Sequence, residues 1–587
     1  MARIVVLGGY GVFGGRLARR LVSETDAEIV VAGRSLIKAK AFCRINGGAP
    51  FKLDRDGDLC EALIPLHPDI VIDAAGPFQS YGEDPYRVAR AAIAAGAHYL
   101  DLADDTAFVT GIGALDAVAK QAGVCVISGA SSVPAVSAAA LDELTAGMES
   151  VALVESVILP GNRAPRGLSV VRSIVGQAGR PLRAWRGGRW MEEPAWDEVS
   201  RFDLTVWGAA PVRTRLASPI GVPDLVLFPE RYRARSVRFL AGLELKLMHL
   251  GLKALAWPVR LGLVSSLLPL SRTLKWVADR LERFGSDRGG MLVRAIGHLP
   301  DGNTVERRWT LVAEEGDGPE VPPTPAFLIC RRLLDDMVTR SAHEQGDIAT
   351  SAPTRNRQAP SACDAASGSR KAVGLPEGAY PAVGILSLRE VEAGLAPFAI
   401  RFGREEHPAV PMLEQVLGKE ARTMPAAWRR LADIHDRDHF AGEASVTRGE
   451  GLLSRLVGFA LGFPAASERC EVEVTKERTA HGERWTRRFD GRPFRSYLSR
   501  RPGDGKGILR ERFGPLSFVI RLHVADDRVE WPIVSWRFLG LPIPVALAPK
   551  SQTAEFVDED GRFRFDVAIS VPLVGPVVRY RGWLAPI

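Results

Sequence analysis

The chain has 587 residues, 46% hydrophobic and 25% charged, with a formal charge of +7. That length supplies two to four domains with substantial cores, and so modest a positive balance gives no sign of nucleic-acid binding while allowing attraction to an anionic cofactor or membrane. Six scattered cysteines (Cys43, Cys60, Cys125, Cys330, Cys363 and Cys470) with no Cys-x-x-Cys spacing exclude a disulfide framework, and with no secretory leader the sequence reads as a reduced, cytoplasmic protein.

The run Ile4 to Leu7 predicts a buried parallel strand. It leads into Gly9-x-Gly11-x-x-Gly14 and a helical stretch from Arg16 to Val22, the order that a dinucleotide-binding turn requires. Gly9 permits the tight turn, Gly11 lets the backbone approach a pyrophosphate, and Gly14 lets the helix pack on the strand. The helix N–H groups and dipole then face the phosphates. Gly8, Tyr10, Val12 and Phe13 complete this candidate cofactor loop. Glu28 to Gly33 predicts the second strand. Where an acid would hold the ribose 2′-hydroxyl of NAD stand Arg34 and Ser35, with Lys38 and Lys40 behind. A guanidinium and a hydroxyl suit a 2′-phosphate, so NADP(H) is expected over NAD(H).

Asp69 to Phe78 predicts a further strand ending in a small-residue turn, with Ala75, Gly76 and Pro77 able to pass close to the nicotinamide half of a cofactor. A helix over Tyr86 to Ala95, the segment Ala97 to Asp104, another helix and a strand over Gly123 to Gly129 follow. This alternation over about 140 residues predicts a doubly wound parallel sheet, an α/β Rossmann domain at 1–140. Ligands then lie at the carboxyl ends of its strands, where Gly76, Pro77, Asp101, Ser131 and Ser132 fall. Hydride transfer also needs a proton donor, for which Tyr81, Tyr99 and Asp101 are candidates, with His98 beside them. Asp101 is better suited to ordering a loop, while His98 and Tyr99 can equally be packing residues.

Further along, Leu240 to Leu250 and Leu255 to Val264 have helical spacing, followed by Leu267 to Leu270 and Leu274 to Val277. Lys246, Lys253, Arg260, Arg272, Lys275, Arg280 and Arg283 punctuate them. Amphipathic helices are therefore expected across 236–283. Pro258 and Arg260 divide the best candidate for a membrane span, and none is long enough. Such helices either lie in a membrane interface or pack as a pair over a substrate pocket or dimer interface. Both readings put apolar surface near the substrate. The stretch 341–372, rich in Ser, Ala, Pro and charge, is expected to be a disordered insertion. A domain boundary is expected between Arg404 and Pro411.

From 408 to 587 the pattern changes. Val410 to Leu417, Ala426 to Ile434 and Gly451 to Gly462 are helical. Thereafter period-two runs with Asp-Gly turns (Asp490-Gly491, Asp560-Gly561) predict a mainly antiparallel β domain, a curved sheet or open barrel with a helix against it. Its apolar face could hold a ligand or serve a docking role. His435-Asp-Arg-Asp-His439 places two imidazoles four residues apart. With no third ligand in sight, no metal site is expected.

Three segments carry a resemblance: Gly8-Gly-Tyr-Gly-Val-Phe-Gly14, Asp73-Ala-Ala-Gly-Pro-Phe-Gln-Ser-Tyr-Gly82 and His98-Tyr-Leu-Asp-Leu-Ala-Asp104. Together they resemble the saccharopine dehydrogenase-like reductases, and the likeness continues more loosely to about 400 through Gly285-Ser-Asp-Arg-Gly-Gly-Met-Leu-Val293 and Pro322-Pro-Thr-Pro-Ala-Phe327. The resemblance implies a dinucleotide-dependent chemistry and an α+β substrate and dimerisation domain at 141–404. Arg487 to Arg495 and Arg510 to Leu516 resemble an uncharacterised bacterial domain found joined to such reductases.

No Gly-x-Ser-x-Gly elbow and no Walker lysine is present, which sets aside hydrolase and nucleotide-triphosphatase readings. The expected function is an NADP(H)-dependent oxidoreductase acting on an apolar or lipid-like carbonyl or enone, cytoplasmic or peripheral at the inner membrane face, with a homodimer and a membrane surface as partners to consider. The alternatives are a non-catalytic NADP(H)-binding scaffold or sensor whose β-domain binds a ligand, and an amino-acid or polyamine dehydrogenase.

Overall fold

The computed structural model of the chain describes residues 1–350, 374–460 and 462–587. The apolar strand Arg3–Leu7 lies at the centre of a parallel sheet, flanked by Glu28–Gly33 and Ile70–Asp73. Ala49–Lys52 completes one side. His98–Asp101, Cys125–Ser128 and Gly378–Pro381 complete the other. The chain order reverses between Arg3–Leu7 and Ile70–Asp73, the crevice where open α/β sheets bind ligands. The helix Val12–Glu24 buries Gly14, Gly15, Leu17, Ala18 and Leu21 against the sheet, the stripe expected of a helix covering one face. Six strands fall within residues 1–140; the seventh returns from Gly378–Pro381, so 1–140 is an incomplete account of this domain.

A second, seven-stranded mixed sheet runs Ser200–Leu204, Val212–Pro219, Ser236–Leu243, Ser150–Leu159, Gly289–His298, Thr304–Ala313 and Ile400–Pro408. The last strand pairs with Thr304–Ala313 as far as Pro408, which carries this domain beyond 404. The expectation of helix from 236 is corrected here. Ser236–Leu243 is a strand parallel to Ser150–Leu159, and helix begins only at Lys246–Arg260, with Ser271–Leu281 after it. A run apolar on both sides of a sheet carries no period to distinguish strand from helix. The helix Thr324–Thr350 covers the start of the expected insertion. The rest of that insertion, with Cys363, lies outside the described residues, and Cys43, Cys60, Cys330 and Cys470 form no disulfide among the described residues.

The remaining residues form a 13-stranded sheet whose paired neighbours are all antiparallel. Leu516–Arg521 and His523–Ala525 are separated by Leu522 alone, yet the first pairs with Ile533–Phe538 and the second with Arg528–Glu530 at the far end of the strand order. The sheet therefore returns on itself as a barrel, closing the edges an open sheet would leave. The barrel joins the middle domain through buried ion pairs. Arg186 donates to Asp436 (2.6 Å at Oδ1) and to both Glu193 carboxylate oxygens (3.0 Å each), and Arg437 donates to Glu193 at 2.7 Å. No helix of the described residues is long and apolar enough to cross a membrane.

Candidate functional site: the dinucleotide cleft

The turn after the first strand is built for close backbone approach. Gly8 has φ +77°, and a Cβ there would lie 2.7 Å from the Ala74 carbonyl oxygen. At Gly14 a Cβ would come within 2.4 Å of the Gly8 oxygen and 3.0 Å of the Ala74 methyl, so only glycine lets the helix pack this tightly. Gly11 is the N-cap of Val12–Glu24 and no side chain caps that helix. Its first-turn N–H groups are left for an anion, with the positive end of the helix dipole behind them.

Tyr10 turns away from the helix start. Its hydroxyl accepts from the Ser35 amide at 2.9 Å, and its ring occupies the space a Cβ on Gly33 would need. Ser35 caps the helix Leu36–Asn46 by accepting from the Lys38 amide. Arg34, at the carboxyl end of the second strand, is exposed and makes no hydrogen bond or ion pair among the described residues. Val12 is half-buried, and Phe13 packs against the core beneath the turn. Ala75 and Gly76 are held by neighbours. The Ala75 amide donates to Asp73 (3.0 Å), the Ala75 carbonyl accepts from Arg55 (2.9 Å) and the Gly76 carbonyl accepts from Ser169 (3.1 Å). Pro77 follows as the N-cap of the short turn Phe78–Ser80.

The three proton-donor candidates are buried beneath this surface rather than presented to it. Tyr81 donates to Asp73 Oδ2 at 2.6 Å while Arg55 stacks over its ring at 4.3 Å. Tyr99 is fully buried, and its hydroxyl lies in reach of the Asp73 and Asp101 charges without a hydrogen bond of ordinary geometry. Burial, with those carboxylates next, holds both phenols far from ionising. Asp101, also fully buried, accepts through Oδ1 from the Gly129 amide (2.7 Å), the Ala103 amide (3.0 Å) and Ser128 Oγ (3.0 Å). Burial pushes its carboxyl up to about 7, against the pull of those three donors. Side chains at the end of a central strand point into the layers that cover the sheet. Asp101 thereby ties the loop ends at Ala103 and Gly129 together. His98 accepts from the Cys125 amide at 2.9 Å across the sheet. Ser131 and Ser132 are buried at the start of the next turn.

The cleft's own polar residues went unnoticed in the sequence. Helix Leu168–Gln177 of the middle domain crosses the carboxyl ends of the parallel strands, with Gly167 opposite Val12. Ser169 and Ser173, one turn apart, face those ends. Gln79 donates to Ser173 Oγ (3.1 Å), and Ser173 Oγ donates to Asp104 Oδ2 (3.4 Å). Asp104 is exposed, and desolvation by the atoms crowding round it raises its carboxyl. The available signal was positional: Asp104 ends the same motif as Asp101, beyond the strand, where its side chain is free to face the crevice.

Residues 4–127 match the saccharopine dehydrogenase NADP binding domain. Residues 425–584 match a domain of unknown function, DUF4166. No match to the chain is found among curated proteins. Among solved structures, saccharopine dehydrogenase from Saccharomyces cerevisiae is similar at 15% identity and TM-score 0.44, covering 69% of this chain and 100% of that one. The WlbA dehydrogenase from Thermus thermophilus is similar at 15% identity and TM-score 0.24, covering 41% and 73%. The match to an NADP-binding domain supports a nicotinamide cofactor and an oxidoreductase.

The histidine pair at 435 and 439 is separated by the fold. Arg437–Arg448 is a strand, not a helix, so His439 is buried beside Thr475 Oγ1 (3.2 Å) and Arg189, which with burial lowers its pKa to about 4. The third partner that the sequence failed to suggest is His298. His298, Asp433 and His435 bring their ligand atoms within 4.8 Å of one another. The carboxylate is shared with His298 Nε2 (3.3 Å), His435 Nε2 (2.8 Å) and the Arg235 guanidinium (3.7 Å).

Proposed function

We propose that the protein is an NADP(H)-dependent oxidoreductase that transfers hydride to or from an apolar or lipid-like carbonyl or enone bound between its first two domains. The observation that carries the reading is the uncapped helix start over the glycine turn, set at the strand-order reversal, with an exposed and unpaired Arg34 at the end of the next strand. The turn glycines and first helical N–H groups would hold the pyrophosphate, and Arg34 with Ser35 the 2′-phosphate. The bound nicotinamide would supply the hydride chemistry. Asp104, linked to Ser173 and Gln79 across the cleft, is the titratable group placed to exchange a proton with a reactant there.

The apolar substrate rests on the helices beyond that cleft. Leu247, Trp257, Leu263, Trp276 and Phe284 are more than half exposed, beside Lys246, Arg260, Arg272 and Arg280. So large an apolar face with basic flanks suits the surface of an anionic bilayer. Helix Ser271–Leu281 packs directly on Leu168–Gln177, and Leu268 lies against Gly176. This layer therefore runs from the cleft wall to the surface.

The test is a titration with NADPH and NADH followed by nicotinamide fluorescence, then a screen of apolar ketones and enones for NADPH oxidation. NADPH should bind more tightly than NADH, by about 10- to 100-fold for one charge-assisted contact. Arg34→Asp should remove or reverse that preference. Equal affinity for both nucleotides, unchanged in the variant, refutes the cofactor assignment. Tight binding without turnover on any substrate favours the scaffold reading, to which the burial of Tyr81, Tyr99 and Asp101 lends support.

A further inference from the structure

The C-terminal barrel encloses a cavity of about 150 Å³ outside the dinucleotide cleft. Phe489, Phe494, Phe513, Phe518, Phe563 and Phe565 form much of its wall. Lys476, Arg487, Glu511 and Glu555 also line it, but the wall is mostly apolar, and a cavity of this volume holds a molecule the size of benzene, so it accepts a ring or the end of a short chain.

One end is closed. Helix Ala426–Ala432 lies there, with Trp428 Nε1 donating to Glu555 (3.1 Å) and Lys476 Nζ donating to the Leu431 carbonyl (2.8 Å). The strand register fixes what lies at the other end. Arg448 is opposite Val578, Lys550 opposite Ser570, Phe489 opposite Arg492 and Phe513 opposite Leu516. The chain following 448, 489, 513 and 571 and that preceding 550 therefore emerge together, and Phe463 and Pro549 line the cavity on this side. At this end the large apolar side chains face water: Leu452, Phe459, Leu539, Leu541, Val545 and Leu573 are all at least 60% exposed.

One polar group within the cavity lacks a partner, and a second is held by an ion pair alone. Trp531 Nε1 and Glu511 Oε1 are buried, and neither has a hydrogen bond among the described residues. Arg487 stands 3.6 Å from that Glu511 oxygen. The orphan Trp531 N–H, costly to leave unmet in this wall, is matched by a ligand oxygen that accepts from it, and the Glu511–Arg487 pair offers that oxygen a polar neighbourhood.

We propose that the barrel binds an apolar molecule carrying one hydrogen-bonding oxygen, of the class of medium-chain fatty acids and alcohols, and takes it from a lipid bilayer through the apolar crown at its mouth. The crown side chains project from a helix and several separate turns. Exposed Arg455, Arg537 and Lys550 stand among them, positioned for headgroup phosphates as the apolar tips enter the acyl boundary. A chain longer than the cavity leaves through the same mouth.

The test uses the full-length protein. Octanoate and 1-octanol are titrated by calorimetry and by tryptophan fluorescence, and flotation is measured with phosphatidylcholine–phosphatidylglycerol vesicles. Saturable one-to-one binding of at least one ligand is expected, weakened about tenfold in Trp531→Phe and in Glu511→Gln. Replacing Phe459, Leu539 and Leu573 by serine should cut flotation at least fivefold and leave ligand affinity unchanged. Preference for octanoate over octanol assigns the oxygen to a carboxylate beside Arg487, and the reverse to a hydroxyl. No saturable binding of either, or equal binding by both cavity variants and the parent, overturns the site. Flotation unchanged in the crown variant overturns the bilayer route. NADPH affinity should be the same in every variant, so failure here is separable from failure of the cofactor reading.

Discussion

Replacing Asp101 by asparagine separates a structural carboxyl from a chemical one. In the folded chain its Oδ1 receives three hydrogen bonds, while Oδ2 has no partner. Burial raises the group from its usual 3.8 to about 7. The folded chain therefore holds this proton between about pH 4 and pH 7, where the unfolded chain has lost it, and stability falls as pH rises through that window. The full penalty above pH 7 is about 4 kcal/mol. Asp101→Asn keeps the Oδ1 acceptor and never ionises, so it should match the parent near pH 4.5 and exceed it at pH 8. The gain in the melting temperature of the first domain should be on the order of 10 °C. Asp101→Ala should instead strip three donors of their acceptor and lose about 3–6 kcal/mol at either pH. Calorimetry at pH 4.5 and pH 8, with NADPH binding as a check on the fold, measures both. An asparagine variant that melts as low as the alanine variant at pH 8 refutes the linkage. One that folds and binds NADPH but loses turnover makes Asp101 chemical after all.

Other consequences can be checked one by one. Gly14→Ala puts a methyl against the backbone oxygen of Gly8, which cannot retreat without moving the turn. About 3 kcal/mol of first-domain stability and most NADPH affinity should be lost, read by thermal melts and nucleotide fluorescence. Asp436→Ala leaves the buried Arg186 with Glu193 alone. A cost of about 3–5 kcal/mol should appear as early, separate melting or proteolytic release of the barrel. His298 is held above its usual pKa chiefly by its hydrogen bond to Asp433. Its contribution is present below pH 6.5 and lost as pH rises through the raised value, so attachment of the barrel should loosen on mild alkalinisation, and His298→Gln should abolish that step in a pH series of limited proteolysis.

What the sequence disclosed and what it withheld divide by range. The glycine turn was legible because each requirement is local: a strand, a turn of fixed spacing and a helix follow one another within a few residues, and each glycine answers to a neighbour or to the strand beside it. The seventh strand, Gly378–Pro381, was illegible as part of that sheet because its partner, Cys125–Ser128, lies across an entire second domain. Leu240 to Leu250 was misread because a largely buried strand passes into a helix across only Glu244 and Leu245, too short a break for either period to dominate. Closure of the barrel through Leu522 and the meeting of His298 with His435 are likewise matters of distant register.

The motif His98 to Asp104 shows the same limit at the site itself. It contains two carboxyls three residues apart, and composition offers no reason to choose between them. The strand supplies one. At Asp101 the chain is still paired with Asp73 on one side, and the buried side chain accepts from two backbone amides and a serine, with the Tyr99 phenol close by. By Asp104 pairing has ended, and the chain faces Ser173 across the crevice. Desolvation raises both carboxyls, so a perturbed pKa does not distinguish them. Access does: a proton at Asp101 can reach only the protein, whereas one at Asp104 can reach whatever enters the cleft. The prediction that follows is asymmetric. Asp104→Asn should leave melting and NADPH affinity near those of the parent while lowering turnover and flattening its pH profile, the opposite of the pattern expected at Asp101.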